Sequence, residues 1–377
     1  MHILLLLLAA LALAWANGAN DNFKATATIY GSGAMDYASA RLLATAAQLS
    51  GSVASVVLAS ALLKSFGGKG LVPTAVVADA SFLVAVGAAA AIIVLIATRA
   101  GLPVSTTHAL VGGLAGAGLV LAPAQLSWSA LGSSYFLPLL VSPPLAAAAG
   151  AILYPLAHRV RLGLGIEADT CVCLGSSRVP VQVTREGSMT LRQTGLPLTV
   201  AEGDACRLFY DGHMFGASVQ TLVDRLHGVS AFSLGFARGL NDTPKVLALL
   251  VAAGWSGIDP RISLAGVAAA MAAGGWLRAR RVAETLSHRI TSLSHGQGLL
   301  ANCVSSSLVI GASLLGSPVS TTHVSTGALF GIGVWNERTD WWTVGRILLA
   351  WVVTLPLAAL VAACGAWLLR LAASLEG

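Results

Sequence analysis

Long apolar stretches, broken by short polar connections, run through most of the chain. A helix needs ~20 apolar residues to cross a bilayer core. Windows of that kind predict segments near residues 2–20, 38–63, 75–98, 103–122 and 130–157, then a second set near 229–253, 261–277, 297–315, 318–335 and 343–373. The stretch between the sets, 158–228, reads differently. Alternating runs at 179–184 and 205–210 predict strands, with turns at Glu186-Gly187 and Asp211-Gly212. It also holds seven of the sixteen acidic residues: Glu167, Asp169, Glu186, Glu202, Asp204, Asp211 and Asp224. The pattern therefore predicts an all-α polytopic membrane protein of two membrane repeats, 1–157 and 229–377, each with about five segments, and a small β-rich soluble insert at 158–228. The opening apolar run lacks the basic flank of a secretory signal and leads straight into a polar motif that recurs later, so it is read as a retained helix.

The two apolar sets are copies of one another. Gly18-Ala19-Asn20-Asp21-Asn22-Phe23-Lys24 matches Gly239-Leu240-Asn241-Asp242-Thr243-Pro244-Lys245 at an offset of 221. Pro103-Val104-Ser105-Thr106-Thr107-His108 recurs unchanged as Pro318-Val319-Ser320-Thr321-Thr322-His323 at an offset of 215. Behind these, Gly112, Gly116 and Gly118 correspond to Gly327, Gly331 and Gly333. Such small residues are expected to let helices approach closely. An odd number of crossings per copy would bring the second copy in from the opposite face, giving an inverted repeat with broken helices and re-entrant hairpins.

Composition narrows the class. Of 377 residues, 56% are hydrophobic and 10% charged, and the mean hydropathy is +0.78. An ordinary soluble domain, a disordered chain and a disulfide scaffold are all excluded. The net charge of +6 does not imply nucleic acid. Arg278, Arg280, Arg281 and Arg289 crowd one loop, and the positive-inside rule makes that side cytoplasmic, together with the insert. The five cysteines form no even framework, and Cys171, Cys173, Cys206 and His213 match no zinc spacing, so neither a metal nor a cofactor is expected. The expected setting is multi-pass in a lipid bilayer, that of a bacterial inner membrane. Whether the chain pairs as a homodimer is left open.

The polar residues at membrane depth carry the chemistry. Asp21 and Asp242 lie at equivalent positions inside apolar segments. A charge at the bilayer centre costs roughly 2.5–3.5 kcal/mol on insertion scales and is by default functional. Asn20 and Asn241 beside them compete for backbone groups, and Pro244 removes a donor, so both segments are expected to break here and line a cavity. In Pro-Val-Ser-Thr-Thr-His, the proline suits a first helical turn and the hydroxyls cap it while offering donors. Two such helix N-termini would present amides and the hydroxyls of Ser105, Thr106, Ser320 and Thr321, with Thr107 and Thr322 behind them. That is a donor set for a tetrahedral oxyanion. The carboxylates suit a hydrogen-bearing anion or a coupling cation. His108 and His323, one turn inside their helices, are read as structural.

These motif pairs resemble the inorganic phosphate transporter (PiT, or phosphate permease) family, whose signature is a duplicated Gly-Ala-Asn-Asp element paired with Pro-Val-Ser-Thr-Thr-His. The resemblance covers both apolar halves. It implies an inverted-repeat secondary transporter that carries phosphate with a coupling cation, H⁺ or Na⁺, by alternating access around a midplane site. It assigns substrate binding to Asn20, Asp21, Asn241, Asp242 and the Ser-Thr-Thr residues, with Na⁺ at Asn20, Asp21, Asn241 and Asp242 where sodium is used. One departure stands out. The family carries an amide three residues after the Asp, where this chain has Lys24 and Lys245. A fixed ammonium there either takes the place of Na⁺ or adds positive charge to the anion site, which puts sodium coupling in question. Sulfate, carried by some relatives, is the alternative substrate. An anion channel and an intramembrane Ser–His hydrolase using Ser105/His108 or Ser320/His323 are weaker readings. No Gly-x-Ser-x-Gly elbow is present, and a hydrolase has no need of a duplicated nucleophile.

Overall fold

The computed structural model describes residues 2–68, 70–164, 170–174, 178–183, 189–193, 198–202, 215–252, 259–290, 293–335 and 339–376. Contacts divide the chain into two compact units, Met1–Ile152 with Gly228–Gly377, and Leu153–His227.

The first unit is helical. Its first half comprises α1 (His2–Asp21), α2 (Ala27–Gly31), α3 (Tyr37–Leu58), α4 (Ser60–Phe66), α5 (Thr74–Val77), α6 (Ala80–Arg99), α7 (Thr106–Leu121) and the start of α8 (Trp128–Gly163), which is π-wound over Leu131–Phe136. The second half comprises α9 (Val219–Ala252), α10 (Pro260–Arg278), α11 (Arg280–His288), α12 (His295–Leu314), α13 (Thr321–Gly333) and α14 (Trp341–Glu376). Among the described residues, six helical stretches are long and apolar enough to cross a bilayer: Leu4–Ala25, Tyr37–Leu58, Ala80–Arg99, Trp128–Gly163, His295–Leu314 and Trp341–Leu375. The α10–α11 pair meets the same test jointly but bends by 68°. Helices α7 and α13 are shorter, 16 and 13 residues. At 1.5 Å per residue they reach about 24 and 20 Å, short of a ~30 Å hydrocarbon core.

The glycines interlock the two halves. A methyl on Gly116 of α7 would stand 1.9 Å from the Ala359 carbonyl oxygen of α14, and one on Gly331 of α13 would stand 2.0 Å from that of Ala147 on α8. The same holds one layer away: Gly18 of α1 abuts the Met271 carbonyl of α10, and Gly239 of α9 abuts that of Gln48 on α3. Each half therefore packs its glycine helices on the other half's backbone, which only a missing Cβ permits.

The expectation that both polar motifs break their helices holds in one half only. The chain does break after Asp21, where α1 gives way to a 3₁₀ turn over Asn22–Ala25 and then α2. The matching stretch in the second half does not break. Helix α9 continues through Asn241, Asp242 and Pro244 to Ala252. Pro244 lacks the donor that would reach Leu240, but lateral packing holds the turn: Thr243 Oγ1 lies 2.7 Å from Ser52 Oγ, next to the Gly239–Gln48 contact.

In the second unit, β1 (Thr170–Leu174) pairs antiparallel with β4 (Leu198–Glu202) and β5 (Phe215–Ser218). Strands β2 (Arg178–Val183) and β3 (Met189–Gln193) form a separate antiparallel pair with an irregularity between Pro180 and Gln182, as a residue lacking an N–H would impose. The run at 205–210 and the turns at Glu186-Gly187 and Asp211-Gly212 lie outside the described residues, as do Cys206 and His213.

Candidate functional site

Helix ends position the site. Where α3, α6 and α10 begin, an aspartate caps the first turn (Asp36, Asp79 and Asp259). The buried helices α7 and α13 use a neutral serine instead, sparing the interior a further charge. Ser105 Oγ accepts from the His108 N–H at 3.1 Å, and Ser320 Oγ from the His323 N–H at 3.2 Å. Pro103 and Pro318, expected inside the first turn, stand two residues before the cap.

The two motif pairs meet through their lysines. The Lys24 ammonium pairs with Asp21, donates to Thr322 Oγ1 at 2.7 Å and donates to the Val104 carbonyl at 2.9 Å. The Lys245 ammonium pairs with Asp242 at 3.2 Å, donates to Thr107 Oγ1 at 2.8 Å and donates to the Val319 carbonyl at 2.8 Å. Residue by residue these are the same contacts with the halves exchanged. Each ammonium spends its three donors on a carboxylate and a carbonyl of its own repeat and a hydroxyl of the other. The other nominated residues close around this core. Thr106 and Thr321 donate to the Asp21 and Asp242 carboxylates at 3.2 and 3.3 Å. Asn20 donates to Thr98 Oγ1 at 2.8 Å and accepts from the Val104 N–H at 3.1 Å. Its mate Asn241 accepts from Ser313 Oγ at 3.2 Å and donates to the Val319 carbonyl at 3.3 Å. Both amides thus pin the loop that leads into the Ser-Thr-Thr helix. All of these residues are buried.

The histidines also meet. The His108 and His323 rings lie 4.3 Å apart, His323 stacks on Trp351 at 3.8 Å, and His108 Nδ1 lies 3.0 Å from Ser105 Oγ. They form a packed contact between α7, α13 and α14.

Two features escaped the sequence reading. Arg238 is buried at 2% exposure one residue before Gly239, and donates to the Asp21 carbonyl at 3.0 Å and to Ser325 Oγ at 3.3 Å. The signal was available: a charged residue inside the 229–253 segment, where an uncharged one would have been cheaper. The second is a cleft of about 700 Å³ lined by Thr98, Arg99, Arg278, Arg280, Arg281 and Glu284. It reaches Thr98, the hydroxyl held by Asn20. No cluster of metal-ligating side chains occurs among the described residues.

Comparison with known proteins places the chain among others. Residues 17–362 match the model of the phosphate transporter family. A 111-residue stretch, 29% of the chain, is 40% identical to a putative phosphate permease of Mycobacterium bovis, of whose length it spans 20%. A putative phosphate permease of Pyrococcus abyssi is 27% identical over 96% of both chains. A solved structure titled the sodium-dependent phosphate transporter superposes with a TM-score of 0.75 over 98% of this chain and 99% of that one, at 22% identity.

Proposed function

The chain belongs to the phosphate transporter family, a family of multi-pass membrane transporters and not of enzymes, and on that premise we propose that it moves inorganic phosphate across a bacterial inner membrane by cation-coupled symport. The first membrane repeat, 1–157, and the second, 229–377, act as inverted halves that rock around the buried Asp–Lys pairs, with the 158–228 insert on the cytoplasmic side. Asn20, Asp21, Asn241 and Asp242 shape the site. Ser105, Thr106, Thr107, Ser320, Thr321 and Thr322 surround the anion as the halves part and Thr107 and Thr322 are released from the lysines and carbonyls of the opposite half.

One observation carries this reading: each lysine reaches the other repeat's threonine, so the charges of both motif copies occupy one site rather than two. Membrane-depth charges shared between repeats are the expected signature of a substrate pathway.

The coupling ion follows from what surrounds the ammonium groups. Carboxylate, carbonyl and hydroxyl oxygens are the ligands a hard cation takes. Lys24 and Lys245 fill two such sets with tethered positive charge, which favours protons over sodium as the coupling ion of this chain. Proteoliposomes test both levels. Labelled phosphate should enter down a proton gradient, show counterflow and ignore Na⁺, while a K24N/K245N variant should gain Na⁺ dependence. Steep Na⁺ dependence of the wild type at fixed pH would falsify the coupling assignment. Uptake of sulfate in preference to phosphate would overturn the substrate, and uncoupled high conductance would make the protein a channel.

A further inference from the structure

Duplication accounts for every buried ionised side chain of the site except one. Among the described residues, the buried Asp, Lys and Arg side chains are Asp21, Lys24, Arg238, Asp242 and Lys245. The four motif residues form two ion pairs and cancel. Arg238 belongs to neither pair, so the buried set carries one surplus positive charge.

Its repeat mate, at the motif offset of 221, is Asn17. The exchange alters both repeats' aspartates. Asn17 turns to its own motif, donating to Asp21 Oδ2 and to Thr106 Oγ1, each at 3.0 Å. Thr106 adds a second contact to that oxygen. Arg238 instead crosses to the first repeat's Asp21 carbonyl and to Ser325. Asp242 Oδ2 is left with Thr321 alone, at 3.3 Å. Meanwhile Arg238 Nε has no hydrogen-bond partner among the described residues. A buried N–H of a cation with no acceptor is costly and favours a ligand that supplies one. The second repeat therefore presents one unpartnered guanidinium N–H, that of Arg238 Nε, and an under-used carboxylate oxygen, and the first has the counterpart of neither.

We propose that Arg238 is the counter-charge of the transported oxyanion, which sits on the second-repeat side between the free Arg238 Nε–H and the Asp242 carboxylate and must still carry a hydrogen. This rests on the phosphate-carrier reading and sharpens it to a single, off-centre seat. The guanidinium takes the anionic oxygens. The carboxylate can only accept, so it needs a hydroxyl from the ligand. Singly protonated and doubly protonated phosphate supply one; sulfate at neutral pH does not. The surplus single charge also leaves the site neutral when the dihydrogen form binds, whereas a dianion would leave an uncompensated negative charge in a low dielectric.

The full chain in proteoliposomes tests this with labelled phosphate, R238K and R238Q. R238K keeps the charge but loses the planar fork and should raise KM at least tenfold with a smaller change in maximal rate. R238Q should lose uptake at least a hundredfold. A melting shift on adding inorganic phosphate to the detergent-solubilised protein gives a readout independent of transport: wild type is stabilised, R238Q is not, and sulfate stabilises neither. A phosphate shift or KM unchanged in the Arg238 variants, or a sulfate shift equal to that of phosphate, overturns the proposal. Absence of phosphate uptake by the wild type itself would instead overturn the underlying carrier reading.

Discussion

The two membrane repeats differ less in their scaffold than in their charges. Their Ser caps, Asp–Lys pairs, cross-repeat Lys–Thr bonds and Gly-to-carbonyl crossings coincide position by position. Their departures include a 3₁₀ break after Asp21 against a continuous α9, Asn17 against Arg238, and Arg99 after Thr98 against Leu314 after Ser313. The arginine cleft opens at the first of these Thr/Ser positions, while Leu314 at the second is exposed. Under the proposed rocking of the halves, shared features hold two halves that exchange roles during a transport cycle. Unshared ones give direction and chemistry to a site that pure symmetry would leave the same from both sides.

That comparison can be broken by variants made in mate positions. The largest effect is expected from K24A and K245A. Each strands a buried carboxylate, which costs about 3–5 kcal/mol, and thermal unfolding in detergent should show a loss in both, the larger in K245A, whose carboxylate keeps fewer donors than that of Asp21. G116L and G331L come next. Each drives a side chain into a carbonyl now about 2 Å from the virtual methyl. Overpacking of that kind costs roughly 1–3 kcal/mol, and a loss confined to one variant would show that the crossings are not equivalent. Removing one cross-repeat hydroxyl, T322V or T107V, takes a charge-assisted bond worth about 1.5–3 kcal/mol. A double-mutant cycle of either with its lysine partner should recover that coupling. The cap variants S105A and S320A should each cost about 1 kcal/mol.

The smallest effect concerns pH. The Ser39 hydroxyl, then its N–H, holds the Asp36 carboxyl below the usual carboxylate range, and Thr343 does the same for Asp340. Both values are depressed by folding, so the stability they add is complete above the unfolded-state value of ~3.9 and is lost only as pH falls through the folded one. Melting temperatures measured between about pH 6 and 8 should therefore be the same for D36N relative to wild type at every pH. A slope in that difference would mean the cap titrates where its contacts say it does not.

Much of this was legible in the sequence because duplication supplies its own control. Two motif pairs recurring at offsets of 221 and 215 located both aspartates, both lysines and the Ser-Thr-Thr helices. What the sequence could not convey was which contacts a tertiary fold would choose. Pro244 reads as a helix breaker, yet Thr243 and Gly239 clamp α9 against α3 and the helix persists. Ser105 and Ser320 read as both caps and donors, and the fold shows which N–H each oxygen accepts, that of His108 and of His323. Arg238 was passed over because a search guided by repeated residues does not register a residue present once. The asymmetry of the site lay where the repeat signal is silent.

The claim that both repeats build one shared site is tested most directly by phosphate uptake in proteoliposomes bearing D21N or D242N alone. Both variants should insert and yet lose uptake, since either aspartate is half of one centre. Normal uptake by either variant, with the protein folded and inserted, would contradict the account.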